Sequence, residues 1–234
     1  MTPVGRYDEI YNCILFMDME REHVRKLLLK LGGRIREYKK GEFILSEKSV
    51  LQDIGILLAG EACKVQYYPD GTEQMVQKLK KAYMVGLEVA MSPRKTSPYT
   101  IYAAQPCEVF WFPARCIEEA GTLSGEDRIN LYRKVVHFLA NEDIRKYRKI
   151  ELLSIKGVRE KILRYLELQG YRKQSDEFEI DFNREELSNY LGINRSVLSH
   201  ELKNMERDGL LTVRKNHFCL KAASTPKSCL DNLF

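Results

Sequence analysis

The sequence predicts an α+β fold in two halves, and three observations predict it. Between Gly41 and Pro113, short β-prone runs are punctuated at Gly41, Gly60, Pro69-Asp70-Gly71, Gly86 and Pro106, the spacing of an antiparallel roll or barrel. From about Glu126 to Glu151 no glycine or proline interrupts a helical pattern. From Phe182 to Leu211 the chain reads as a helix, a tight turn and a second helix, with a hairpin pattern after it.

Each element has a local reason. Ahead of the roll, Glu20 to Leu31 is amphipathic, with Val24, Leu27, Leu28 and Leu31 on one side. Within it, Ile54–Leu58 and Cys63–Tyr68 read as consecutive strands joined at Ala59-Gly60-Glu61. Pro69-Asp70-Gly71 makes the next turn, because proline presets φ and glycine supplies a positive one. A roll of this size either holds a ligand between its faces or is simply packed. The long helix would span roughly 40 Å at about 1.5 Å per residue. On it, Ile129, Val136 and Ile150 share a heptad row with Asp143, and Tyr132 and Leu139 share the complementary row with Lys146. That is a short coiled-coil seam with a polar centre, or else a helix packed on its own domain.

The helix pair carries the chemistry. Asn183 is a good N-cap, and Glu186 completes a capping box. Leu187, Tyr190 and Leu191 form the buried stripe of the first helix, and Gly192 ends it. Asn194 caps the second, whose apolar positions Leu198, Leu202 and Met205 follow one packed face. Opposite that face lie Arg195, Ser196, Ser199, His200 and Lys203, near the end that a recognition helix pushes into the major groove. All five can bond phosphates or base edges. After Gly209, Leu211-Thr212-Val213, the basic turn Arg214-Lys215-Asn216 and His217–Leu220 read as a wing whose tip would lie beside a DNA backbone. The expected DNA-binding set is Asn194, Arg195, Ser196, Ser199, His200, Lys203, Arg214 and Lys215.

Composition sets the frame. The chain of 234 residues, 44% hydrophobic and 30% charged, has the balance of a soluble globular protein with two modest domains. No apolar run is long enough to span a bilayer, and residues 1–13 lack a signal-peptide layout, so a cytoplasmic protein without a membrane partner is expected. Cysteines at 13, 63, 107, 116, 219 and 229 make no C-x-x-C pair, which argues against a zinc ribbon. Histidines occur at 23, 137, 200 and 217, leaving none in the roll for a metal cluster, and no catalytic constellation is apparent, so an enzyme is not expected. Residues 155–223 hold 13 Lys+Arg against 11 Asp+Glu, a net of +2. The helix–turn–helix pattern therefore carries the DNA inference, and the charge merely permits it.

The order of these parts resembles the Crp/Fnr family, the bacterial catabolite-activator type of transcription regulators. The resemblance runs from about Tyr11 to Leu220, and rests on Lys40-Gly41-Glu42 with Gly60, on Val158–Leu163, and on Leu191–His200. It implies a cyclic-nucleotide-binding-like β-roll of jelly-roll or cupin type over 1–122, a dimerisation helix over 123–152, a winged helix–turn–helix over 153–223, and a tail over 224–234. It also implies a homodimeric, sequence-specific DNA-binding regulator whose roll controls DNA binding, with double-stranded DNA bearing an inverted repeat, and RNA polymerase, as partners. A ligand-binding module acting through protein contacts is the alternative, and the composition of the recognition face argues against it.

The departures from the family are informative. Members that bind cyclic nucleotides hold the ribose with a Gly-Glu pair and the phosphate with an Arg-Ser pair; here these positions read Gly86-Leu87-Glu88 and Thr96-Ser97-Pro98. Cyclic AMP is therefore disfavoured as the effector. An iron–sulfur cluster is disfavoured because Cys13 is the only cysteine among the first fifty residues, and haem because His23 is isolated. The effector's identity stays open. The family's helix further implies that Lys146 and Tyr147 face the roll, giving an expected effector pocket of Gly86, Leu87, Glu88, Thr96, Ser97, Lys146 and Tyr147. The competing expectation is an inter-subunit Asp143–Lys146 ion pair that fixes helix register. Finally, a glutamate commonly follows Arg195 in the family and an arginine commonly stands at the place of His200, so Ser196 and His200 imply a different operator.

Overall fold

The structure, a computed structural model, describes residues 8–221. The expected tail at 224–234 and Cys229 lie outside the described residues. The chain divides into two compact units between Ile144 and Arg145.

The first unit opens with α1 (Asp8–Tyr11) and α2 (Arg21–Leu31). Six strands follow: β1 (Arg34–Tyr38), β2 (Phe43–Leu45), β3 (Asp53–Ala59), β4 (Ala62–Tyr67), β5 (Glu73–Leu79) and β6 (Met84–Val85). A one-turn helix α3 (Leu87–Ala90), β7 (Thr100–Ala103), β8 (Cys107–Pro113) and a short α4 (Arg115–Glu118) lead into the long helix α5 (Gly125–Ser154). The eight strands form two antiparallel sheets, ordered β1-β8-β3-β6 and β2-β7-β4-β5. Consecutive strands β3 and β4 therefore do not pair: the turn at Gly60 carries the chain from one sheet to the other. Only glycine fits there, since φ is 81° and an added Cβ would meet the Pro106 carbonyl oxygen at 2.2 Å. At the β4–β5 hairpin Gly71 takes a φ of 82°, and the Asp70 carboxylate accepts from the Thr72 N–H at 2.9 Å and its hydroxyl at 2.7 Å.

Strand alternation builds two cores from one sheet. On β3 and β8, Ile54, Ile56, Phe110 and Phe112 pack with Val24, Leu27 and Leu31 of α2 and Leu131, Val135 and Phe138 of α5. The intervening residues Leu57, Val109 and Trp111 face the roll interior with Tyr38, Leu79, Val85 and Ile101. Trp111 Nε1 donates to the Tyr38 hydroxyl at 3.0 Å, so the one polar atom of the indole is satisfied inside. Helix α5 leaves a second apolar face outside: Ile129, Val136, Ile144 and Ile150 are each half or more exposed. Tyr132, from the complementary heptad row, instead packs partly against the first core.

The second unit takes the last turns of α5 and adds α6 (Val158–Lys173), β9 (Glu177–Glu179), α7 (Arg184–Leu191), α8 (Arg195–Arg207), β10 (Leu211–Arg214) and β11 (His217–Leu220). The expected hairpin is present, and β9, which the sequence did not announce, extends it to a three-stranded sheet ordered β10-β11-β9. Leu152, Ile162, Leu166, Phe178, Leu187, Leu198 and Phe218 meet in its core. Lys149 of α5 donates to the Tyr190 carbonyl oxygen at the end of α7 and lies over the Tyr190 ring. Burial, helped by the charge of Lys161, pushes this amine down to about 7.

The two turn glycines separate two kinds of strain. Gly60→Ala combines a left-handed backbone with a backbone clash and is expected to destabilise the roll by about 2–4 kcal/mol. Gly41→Ala, at a φ of 83° with nothing within 4 Å of the added carbon, is expected to cost about 1–2 kcal/mol. Urea unfolding of both variants reads the difference, and equal losses would remove the steric part of the account.

Candidate nucleic-acid interface and sensor site

The capping predicted for the helix pair is all present. The Asn183 side chain accepts from the Glu185 and Glu186 N–H groups at 2.9 Å each, and Glu186 accepts in return from the Asn183 N–H at 2.8 Å. Gly192 closes α7 with φ at 63°. Asn194 then starts α8, its side-chain oxygen accepting from the Ser196 N–H at 2.9 Å and the Ser196 hydroxyl at 2.8 Å. That oxygen of Asn194 is thus occupied in capping, while Ser196 keeps its lone pairs for an external donor. With Leu198, Leu202 and Met205 buried, the outward face of α8 is fixed. Arg159 of α6 clamps α8 from behind, bonding Glu201 at 2.6 Å and Asp208 at 2.8 Å.

The outward face holds Arg195, Ser196, His200 and Lys203 exposed, with Ser199 half-buried beside them. The nearest acid to Arg195 is Glu185, 4.0 Å away with both side chains well exposed, a screened pair too weak to hold the guanidinium. His200 Nδ1 lies 3.2 Å from the Asn204 amide nitrogen. Arg214 and Lys215 are exposed at the wing tip, where Lys215 takes a φ of 55°. Val197, 44% exposed on the same face, was not anticipated from sequence, because only polar residues were sought there. An apolar side chain at this place can lie against a thymine methyl group.

In the first unit the residues expected to form an effector pocket part company. Leu87 is fully buried in the core. The buried Ser97 hydroxyl donates to the Tyr99 carbonyl oxygen at 2.7 Å, and the exposed Thr96 hydroxyl donates to the Arg94 carbonyl oxygen at 3.0 Å. Gly86, with φ at 71°, delivers Glu88 into the roll. There Glu88 meets Lys64, whose Nζ is 2.7 Å away; their side chains are 18% and 3% exposed. The Tyr99 hydroxyl donates to the same carboxylate oxygen at 2.7 Å, and the Lys64 ammonium lies 4.4 Å from the centre of the Tyr99 ring. A second pair adjoins, for the Tyr83 hydroxyl reaches Glu142 of α5 at 2.7 Å and Gln77 at 3.3 Å. Burial pushes the Glu88 carboxyl up, yet the Lys64 charge and the bonds from Lys64 and Tyr99 outweigh it and hold the group below its ordinary range. Burial and the Glu88 charge push the Tyr99 phenol up.

Within this unit Glu142 of α5 is hydrogen-bonded to Tyr83 of the roll, while Lys146 and Tyr147 belong to the second unit and are exposed. Lys64, Tyr83, Tyr99 and Glu142 were all missed from the sequence, since none sits in a motif and burial of a strand lysine has no local signal.

Two family models match the chain. A cyclic nucleotide-binding domain matches residues 35–121, and a Crp-like helix-turn-helix domain matches residues 160–223. Transcriptional activator protein FnrL of Cereibacter sphaeroides is 23% identical over 193 residues, covering 78% of this chain and 74% of that protein. The structure is similar to FixK2 from Bradyrhizobium japonicum, with a TM-score of 0.64 and 17% identity over 86% of this chain and 96% of that one. It is also similar to CLP of Xanthomonas campestris, described as a c-di-GMP responsive global regulator, with a TM-score of 0.70 and 16% identity over 87% of this chain and 100% of that one. A nucleotide-binding-type roll, a long helix and a Crp-like reading head in this order make the chain a DNA-binding transcription regulator with a sensor domain, not an enzyme, and it belongs to the Crp/Fnr family.

Proposed function

We propose that the protein works in the cytoplasm as a homodimer that binds an inverted repeat in double-stranded DNA, acts on transcription through RNA polymerase, and is controlled by its roll. The observation that carries the reading is the outward face of α8, where Arg195, Ser196, His200 and Lys203 stand exposed on a helix whose opposite side is locked into the core. Arg195 and His200 contact base edges, Ser196 and Ser199 make shorter base or phosphate contacts, and Lys203, Arg214 and Lys215 hold the backbone. Arg195→Ala is expected to cost about 1–3 kcal/mol on the preferred site and to relax preference at one base pair. Selection from a random duplex pool tests this, and an unchanged sequence preference at unchanged affinity overturns the assignment.

Pairing through α5 is supported by its exposed stripe, in which Val136 is 60% and Ile150 64% exposed. Asp143 and Lys146 lie on the two rows that form this seam, where an Asp143–Lys146 pair would fix register. Two-fold pairing places half-sites about one or two duplex turns apart, roughly 34 Å per turn. Val136→Asp is expected to yield monomers by sedimentation equilibrium and to shrink the DNA footprint to a weakly held half-site; a dimeric variant with an intact footprint overturns the seam.

For the sensor, the pairing of Glu88 with Lys64 supports an effector other than cyclic AMP, because one carboxylate oxygen is committed to an internal cation and an internal hydroxyl and only the buried Oε2 is left for a ribose. Lys64→Met leaves a buried carboxylate uncompensated and is expected to destabilise the first unit by about 3 kcal/mol near pH 7. The two proteins should also differ between pH 8 and pH 5, where the wild-type Glu88 contribution is constant and the variant's is not. In the wild type the Glu88 pKa is lowered on folding, so its contribution is present above the usual carboxylate pKa and is lost as pH falls through the folded value. In the variant, burial, the largest of the influences on Glu88, is opposed only by the Tyr99 and backbone hydrogen bonds and raises that pKa, so stability should grow as pH falls from 8 to 5. Urea midpoints at the two pH values decide it, and parallel trends in the two proteins sink the account.

A further inference from the structure

We propose that Asn204 is a positioning residue for DNA reading: it fixes the tautomer of His200 so that the imidazole presents a single N–H donor to the major groove, and so selects a base with an acceptor edge. The inference rests on the assignment of His200 to base contact made above. Asn204 lies one helical turn beyond His200 on α8, half-buried where His200 is exposed, and its amide nitrogen lies 3.2 Å from His200 Nδ1.

With its amide nitrogen turned toward the ring, Asn204 donates and Nδ1 is the accepting, unprotonated nitrogen. The ring proton then resides on Nε2, the other nitrogen of the imidazole. A ring held this way offers one donor and no acceptor at Nε2. Guanine, with N7 and O6 both accepting in the major groove, fits such a reader, and the cytosine amino group does not. An arginine in this place would span two guanine acceptors at once, whereas a single imidazole N–H makes one bond and leaves the second acceptor to water or to a neighbour. The expected operator therefore carries, at the base pair facing His200, a guanine preference of about tenfold over cytosine, not the stronger discrimination of a bidentate contact.

Three variants of the full-length protein test this by selection from a random-sequence duplex pool, with thermal melting to confirm that each is folded. Asn204→Leu keeps the shape and loses the donor; it should flatten preference at one base pair per half-site by about tenfold and leave the other positions unchanged. Asn204→Asp supplies only acceptors to Nδ1, draws the proton there and exposes Nε2 as an acceptor, so the same column should move toward a base bearing an amino group. His200→Ala should flatten that column too. In the free protein, nitrogen NMR of the imidazole should report the Nε2–H tautomer in the wild type and its loss in Asn204→Asp.

The outcomes separate the two layers of the argument. If His200→Ala leaves every column intact, His200 does not read DNA and the underlying assignment falls. If His200→Ala flattens one column while Asn204→Leu leaves it intact, or weakens all columns alike, the base assignment stands and the role of Asn204 is overturned.

Discussion

A carboxylate taken out of water has to find a cation or give up its charge, and in the first unit that requirement fixes the centre of the roll. Glu88 enters from α3 and is met by Lys64, a residue from the opposite sheet that is itself almost wholly enclosed. Each would be costly alone, and together, with the Tyr99 hydroxyl, they form a bonded group whose geometry ties α3, β4 and the chain before β7 to one another, although Glu88 Oε2 is buried without a hydrogen-bond partner among the described residues. The adjoining Tyr83–Glu142 bond brings α5 into contact with the same interior. Hydrogen bonds are directional where apolar contacts are not, so this polar centre constrains the relative placement of those three segments more closely than an apolar one would. A sensor domain benefits from that property, because a ligand can shift an equilibrium only between states that are structurally distinct.

The reading head was legible in the sequence for physical reasons that are local. An N-cap acts over three residues, a C-cap glycine over one, and a packed helix face over a few turns, so Asn183, Gly192, Asn194 and the Leu198–Leu202–Met205 row could be placed without knowing what they pack against. The turn residues of the roll were legible for the same reason. Sheet membership was not, because the pairing of β3 with β8 joins residues as far apart as Asp53 and Pro113, and nothing near Gly60 says whether a turn closes a hairpin or changes sheets. Strand β9, three residues with one buried phenylalanine, is too short to show a period. The Lys64–Glu88 pair was hidden because a charged residue on a strand reads as solvated unless its partner is known. The long helix was anticipated in extent, but only the structure separated its packed face, with Leu131, Val135 and Phe138, from the exposed row of Ile129, Val136 and Ile150.

Helix α5 thus has two apolar faces with different roles. One completes the core of the first unit, and its end, with Lys149 and Leu152, belongs to the second. The other is left open along its length, more apolar surface than an isolated helix would keep exposed without a partner.

The near balance of charge over residues 155–223 bears on how such a protein finds its site. Attraction to any duplex comes from neutralised phosphates and grows with each cation presented, so residues 155–223, with 13 basic against 11 acidic side chains, supply little of it in net charge. Within a chromosome every wrong sequence is a competitor, and the fraction of protein lost to them depends on how tightly they are held, not on the strength of the right contact alone. A reader with few spare cations spends less time on the wrong sites and leaves them readily. On the reading proposed above, occupancy of an operator rests on the handful of side chains at the front of α8, so that small changes there would alter which sequences are held.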